Sequence, residues 1–290
     1  MPVMSIISCK IMQDEIVWIL ENDSSVDEII VVENENIREF SGKLKRVNLQ
    51  HKILPIENIP LLSEINSERD KNIESDENNE SAKISEHDKY TVLIYLMELG
   101  LHKNPKELKN KVYRTVETLK PFSSGILVFY GLCGNVLGNI EKDFDGNSFP
   151  CPVRILKDRK HRIVDDCIGA TVGGVDNYLS LLKSVSDAGT YLFTPMYSKG
   201  WRELIELDKL HKDPSKALKM MKKTHEMIGY KRVAKINTGL GYTENFDDAI
   251  REFAELFDFE ILEFNNGNQE VFEDCYGKMK VEIDNGGSVD

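Results

Sequence analysis

The sequence predicts an α/β fold: a Rossmann-like, mainly parallel sheet flanked by helices, built as one sheet or as two or more Rossmann-like units around one crevice. Three observations lead there. Short apolar runs alternate with amphipathic segments along nearly the whole chain, the pattern of strand and crossover helix. One apolar run, Gly125-Ile126-Leu127-Val128-Phe129-Tyr130, stops abruptly at Cys133 between Gly131 and Gly134, as a buried strand does when it turns into a loop. A chain of 290 residues with 41% hydrophobic content can bury one large core or two modest ones.

Taken in order, Val3–Cys9 reads as a strand, followed by a helix around Gln13–Glu21. Glu28–Val32 reads as a strand, Ile37–Lys45 as a helix and Ile53–Ile56 as a short strand. Tyr90–Met97 is the next strand. Asn104 and Pro105 then open a helix that runs through Leu119, with Asn as the N-cap and Pro as the first helical residue. Ile126–Tyr130, Val153–Leu156 and Tyr191–Thr194 continue the strands, with helices expected at Val136–Lys142 and Asp176–Val185. The last third adds helices at Trp201–His211, Pro214–Ile228 and Asp247–Phe257, and strands at Val233–Ile236 and Glu260–Phe264.

Charge and composition narrow the function classes. The formal charge is −12, and half of it lies between Ser63 and Asp88, where nine acidic residues face three basic ones among many Asn and Ser. Such a segment cannot offset its ordering entropy by burial and reads as a flexible insertion. The expected division is therefore 1–62 as a first Rossmann-like part, 63–88 as an acidic insertion and 89–290 as the remaining part or parts, with a further boundary near 187–200. No basic stripe interleaved with aromatics occurs, and Lys216–Lys223 reads as one face of a helix, so nucleic acid is not an expected partner. No apolar run approaches the roughly 20 residues of a membrane-spanning helix, and Met1-Pro2-Val3-Met4 lacks the basic opening of a secretory signal; the expectation is a cytoplasmic protein with no membrane partner. Five cysteines, an odd number, argue for reduced thiols rather than a disulfide framework.

Three of those cysteines stand at strand ends. Cys9 closes the first strand, Cys133 follows Ile126–Tyr130, and Cys167 lies in the turn Asp165-Asp166-Cys167-Ile168-Gly169-Ala170. In open α/β folds the ligand crevice forms beyond the carboxyl ends of the strands, so these thiols are candidate metal ligands. The competing reading is that each is a small buried apolar residue. His102, also just beyond a strand, is the candidate fourth ligand, against a cap or surface role. Glu15, on the first helix after Cys9, and Asp165 and Asp166 are candidates to orient a ligand or move a proton, or only to shape turns. Cys151 and Cys275 read as structural. Asn237-Thr238-Gly239-Leu240-Gly241 contains Gly-x-Gly, a weak cofactor-phosphate signal at Asn237, Thr238 and Gly239 that a plain turn also explains. The absence of a Gly-x-Ser-x-Gly elbow, a His-Glu-x-x-His pair and a Walker loop removes the standard hydrolase and ATPase readings.

Ile6-Ile7-Ser8-Cys9 with Glu15, Gly100-Leu101-His102 with Pro105, Tyr130-Gly131-Leu132-Cys133-Gly134-Asn135, Asp166-Cys167-Ile168 and Val233–Leu240 together resemble the family called domain of unknown function 1638, and in particular its methanogen branch. The resemblance covers nearly the whole chain outside the acidic insertion. It implies a role in archaeal one-carbon metabolism, beside corrinoid proteins and methyltransferases. The chain departs from the family's usual Ala-Cys-Gly by having Ser8-Cys9-Lys10, which places a positive charge near the first thiol.

Two cofactors suit three thiols with or without an imidazole. One is a zinc ion, closed and structural or open to a substrate; the other is an iron–sulfur cluster with one iron free, a layout similar to that of quinolinate synthase. The leading expectation is a metal-dependent accessory protein of corrinoid-linked methyl transfer. The alternatives are a non-catalytic scaffold or chaperone for a corrinoid or methyltransferase partner, with a structural metal, and a small-molecule sensor that uses the crevice without metal.

Overall fold

Strands that are apolar throughout belong in a parallel sheet covered on both faces, and the computed structural model of the chain places them so. It describes residues 1–61, 89–145, 151–205 and 212–286, and the side chain of His102 is not among them. The acidic insertion expected at 63–88 and the end of the helix expected at Trp201–His211 lie outside the described residues. Strands β1 (Val3–Cys9), β2 (Val26–Val32), β3 (Lys52–Leu54), β4 (Tyr90–Met97), β5 (Gly125–Phe129) and β6 (Val153–Ile155) form one sheet in the order β3-β2-β4-β1-β5-β6. Every pairing is parallel; Ile6 of β1 pairs with Ile94 of β4 on one side and Leu127 of β5 on the other. All residues of β1 and β5 are buried. Strands from both sides of residues 63–88 thus share one sheet.

A second parallel sheet, β7 (Gly189–Phe193), β8 (Tyr230–Ile236) and β9 (Glu260–Phe264), has its own core of Phe193, Trp201, Val233, Ile250, Phe253 and Phe257. The two sheets are joined by the last helix, Glu270–Asp284, which leaves β9 and packs back on β5, β1 and β6 of the first sheet. Gly125 makes room for it: a Cβ there would stand 2.6 Å from Met279 Sδ, and the Met279 and Ile283 side chains would have to shift. This mainly parallel α/β architecture is the one the alternating pattern predicts.

Strand order decides where a ligand can sit. The chain leaves β1 through helix Gln13–Asn22 towards β2, and leaves β5 through helix Ile140–Phe144 towards β6, on opposite sides of the neighbouring pair β1 and β5. Right-handed crossovers send those two connections to opposite faces of the sheet. A crevice opens between the carboxyl ends of β1 and β5, the switch point of the topology.

Local chemistry accounts for the helix starts. The Asn104 side chain accepts a hydrogen bond from Glu107 N at 3.3 Å, and Pro105 opens the helix Pro105–Leu119; Asp213 and Pro214 do the same for Pro214–Ile228. The helix expected to begin at Trp201 begins instead at Pro195, as Pro195–Ile205, because Pro at the first helical position starts a helix as readily as it breaks one. The helix expected at Val136–Lys142 is instead Ile140–Phe144, with Asn139, a residue type that favours helix starts over helix interiors, at its N-cap and Gly138 just before it. The helices Cys167–Thr171 and Glu270–Asp284 are additions to the sequence reading.

Candidate functional site

The site is built by two loops locked together at the end of β5. Leu132 N donates to Val164 O at 2.8 Å and Cys133 N donates to Asp165 O at 3.0 Å, so the loop after β5 runs against the loop that carries Cys167. Gly131 makes the approach possible: a Cβ there would stand 2.4 Å from Val164 O and 2.8 Å from Asp166 N. Past it, Cys133 takes φ of 44°, unusual for a residue with a side chain, followed by Gly134 at 78° and Asn135 at 64°. Left-handed backbone at a non-glycine residue costs on the order of 1 kcal/mol and persists where surrounding contacts impose it. Here the bonds to Val164 and Asp165 do so.

On the facing loop, Asp166 is the N-cap of helix Cys167–Thr171: Gly169 N donates to Oδ1 at 2.8 Å and Tyr178 Oη donates to Oδ2 at 2.8 Å. Both carboxylate oxygens are therefore engaged, and the cap fixes the start of the helix at Cys167. Cys9, at the last paired position of β1 opposite Met97, completes the set.

The three thiols line one cavity of about 310 Å³, with Ile11, Met12, Leu99, Leu101, Ile168 and Tyr197 as its apolar wall and Glu98, Asp165 and Asp166 as its carboxylates. Tyr130 enters from the end of β5; it is 4% exposed, and its hydroxyl makes no hydrogen bond of good geometry. The neighbouring thiols nevertheless act on it: burial first, and then Cys9, Cys133 and Cys167, raise its pKa well above the ordinary tyrosine value, so it stays protonated.

The same crowding holds the thiols neutral. Burial, opposed in part by the Ile11 amide, the Tyr130 hydroxyl and Lys10, pushes Cys9 up to about 11; burial together with Cys9 and Asp166 pushes Cys133 up to about 12. Cys167 is raised further, by burial, Asp166, the other two thiols and Glu15. Each thiolate would thus destabilise the next. A bound cation reverses that relation, because a coordinating thiol is deprotonated outright.

Among the other expected residues, Glu15 is buried beside this cluster. Thr171 Oγ1 lies 3.5 Å from its Oε1, while Oε2 is buried without a partner, and burial with the neighbouring Asp14 pushes its pKa up to about 8. Asp165 lines the cavity, and its backbone carbonyl holds Cys133. His102 lies in the turn Leu101–Lys103 after β4, on a backbone that approaches the cavity at Leu101. Asn237, Thr238 and Gly239 follow β8 and are not among the cavity's lining residues; Gly239 N donates to Asn237 Oδ1 at 3.0 Å and Gln269 Nε2 donates to Thr238 O at 2.7 Å. Cys151 and Cys275 are buried in the main core, the latter donating from Sγ to Lys157 O at 3.4 Å.

Sequence reasoning missed Tyr130, Tyr197 and Glu98, and it missed the buried pair of Lys43 and Asp14, which lies behind Glu15. Tyr130 had a local signal, a tyrosine at the end of an apolar strand two residues before the Leu132-Cys133 turn. Tyr197 had none, since its helix comes from the second sheet.

Fold and site together define a parallel α/β protein with a thiol-lined crevice at its topological switch point. Residues 96–276, well over half of the chain, match the family described as a protein of unknown function (DUF1638), and the chain belongs to that family. No curated protein and no solved structure matches the chain. Among the described residues no helix is long and apolar enough to cross a membrane.

Among the described residues no three Cys, His, Asp or Glu side chains are already arranged to hold a metal ion. The fit to a metal therefore rests on donor type and convergence: three sulfur donors on one cavity wall, with the buried Tyr130 hydroxyl beside Cys9 and the buried, unpartnered Glu15 Oε2 acting on Cys167 from behind it. An iron–sulfur cluster interposes an iron at each thiolate and so spans sulfurs set farther apart than a single ion does.

Proposed function

We propose that the protein is a metal-binding accessory protein of one-carbon metabolism, with Cys9, Cys133 and Cys167 as ligands of a zinc ion or an iron–sulfur cluster and His102 as a fourth ligand. The observation that carries this reading is the convergence of three strand-end thiols, from three separate parts of the chain, on one cavity at the β1/β5 crevice. The positive φ of Cys133 adds to it, since backbone strain concentrates where a side chain must be presented. Thiolates suit zinc and iron–sulfur clusters above harder ions. When bound, the metal would supply a polarising centre or a nucleophilic thiolate. The chain's own part is to hold the sulfurs at the crevice, to keep water out with Ile11, Met12, Leu99 and Ile168, and to hold a proton on Tyr130.

The connection with corrinoid proteins and methyltransferases, the methanogen origin and the cytoplasmic location rest on the sequence resemblance and composition. A structural metal in a non-catalytic scaffold for such a partner is the second reading, favoured by the locked loops, which a metal would fasten further.

Metal and acid-labile sulfide analysis with an absorption spectrum, on protein purified without oxygen, tests the proposal. Iron with sulfide selects the cluster, and one zinc per chain without colour selects the ion. Unchanged metal content in both Cys133→Ser and Cys9→Ser would overturn the shared site. A folded, metal-free Cys133→Ser variant favours an active centre, and collapse of the fold on metal loss favours the scaffold.

A further inference from the structure

The cavity beside the thiols is large enough for a ligand of several heavy atoms, and its wall has a definite chemical sign. Its apolar side, Ile11, Met12, Leu99, Leu101, Ile168 and Tyr197, suits a short hydrocarbon. Among the described side chains no lysine or arginine lines it; the charged groups are Glu98, Asp165 and Asp166. These three are not equivalent. Glu98 is paired with Lys111, which stands outside the cavity, and both oxygens of Asp166 are taken by Gly169 and Tyr178. The Asp165 carboxylate, exposed at the cavity mouth, makes no hydrogen bond or ion pair among the described residues and is free to meet a ligand. Independently, the Tyr130 hydroxyl is buried at the cavity wall; apart from its approach to the Cys9 thiol it makes no hydrogen bond, and its oxygen, which accepts as well as donates, receives none. Buried polar groups in native proteins are paired, so an orphan in a cavity wall marks a place where a ligand atom or water belongs.

We propose that this cavity binds a small organic cation, a short apolar chain bearing an ammonium group, with Asp165 balancing the charge and the Tyr130 hydroxyl oxygen accepting from an ammonium N–H. The assignment rests on the metal-site reading only for the identity of the neighbouring group, and it holds with the site empty or loaded. Three thiolates on a divalent ion leave a net negative charge, which favours the same sign of ligand. An anionic ligand would meet carboxylates and thiols, and Lys10, the described cation that acts on Cys9, is already paired with Glu203 at 2.8 Å.

The test uses the full chain, as purified and after chelation, with three probes of one length: n-butylammonium, 1-butanol and butyrate, each titrated by ligand-observed NMR. Butylammonium is expected to bind about tenfold or more tightly than butyrate, a difference of about 1.4 kcal/mol, with butanol between them. Asp165→Asn, an exposed change, should cut the preference for butylammonium over butyrate at least threefold, and Tyr130→Phe should weaken butylammonium more than butanol. Butyrate binding as well as butylammonium, no butylammonium binding at millimolar concentration, or indifference of the preference to both substitutions would each overturn the proposal. Metal content is measured on the same samples. Ammonium preference in protein that never holds metal sinks the metal reading and keeps this one, whereas metal-loaded protein without that preference does the reverse.

Discussion

The Lys43 ammonium lies 2.6 Å from Asp14 Oδ1, with the two side chains 0% and 3% exposed. Lys43 comes from helix Arg38–Arg46 and Asp14 from helix Gln13–Asn22, both on the first sheet, and Thr243 Oγ1, from the loop after β8, lies 3.0 Å from each of them. Met196 Sδ, from helix Pro195–Ile205, also touches the lysine. A buried charge pair of the first unit thus anchors two segments of the second, and those segments include the neighbour of Tyr197 in the cavity wall.

Removing one member of a buried pair strands the other. Lys43→Met should cost about 3–5 kcal/mol, while the double change Asp14→Leu with Lys43→Met should recover at least half of the loss. Urea midpoints of the two single variants and the double variant measure this. A double variant as unstable as Lys43→Met would show that the pair is needed for packing rather than for charge balance.

Gly131→Ala should destabilise the protein by about 2–3 kcal/mol, because the Cβ would meet the Val164–Asp166 backbone at distances that no side-chain movement relieves. The displaced loop also carries Cys133, so metal content should fall with stability. A variant with an unchanged melting temperature would mean that the two loops are not held as closely as Gly131 and Val164 imply.

Glu15 keeps its proton in the fold up to about pH 8, whereas in the unfolded chain it loses it near 4.5. Between those values the folded state binds more protons, so this group makes the protein less stable as the pH rises through the window. At pH 8 the penalty is on the order of 2–4 kcal/mol. Glu15→Gln should flatten the pH dependence and raise the melting temperature at pH 8 while changing little at pH 4. Thermal melts from pH 4 to pH 9 would read the slope directly, and parallel curves for the two proteins would contradict the assignment.

Metal-free protein should alkylate slowly. With Cys9 raised to about 11 and Cys133 to about 12, the thiolate fraction at pH 7 is small, and the thiolate is the reacting form. Iodoacetamide at pH 7 should modify both at least about tenfold more slowly than free cysteine, with the rate climbing as the pH rises. Fast modification of Cys133 at neutral pH would place a positive charge near it that the described residues lack.

Much of both sheets could be read directly. Tyr90–Met97, Pro105–Leu119 and Glu260–Phe264 fall where apolar periodicity and capping residues put them, because those signals are local. The errors lie where a local signal is ambiguous: Pro195 serves a helix start as well as a loop, and Val136–Leu137 have helical composition but the helix starts only after Gly138 and the N-cap Asn139.

By itself the sequence determined the alternating α/β pattern, the thiols at strand ends and their order along the chain, since side-chain periodicity and the choice of glycine or asparagine at turns act over a few residues. Only the tertiary structure decided that β4 returns between β2 and β1, so that β1 and β5 become neighbours and the loops of Cys9, Cys133 and Cys167 meet. It also decided that Tyr197 and Thr243 from the second unit reach the first. Strand order and long-range contact follow from how apolar surfaces from distant segments pack and bury one another, a property of the assembled core that no short window of sequence contains.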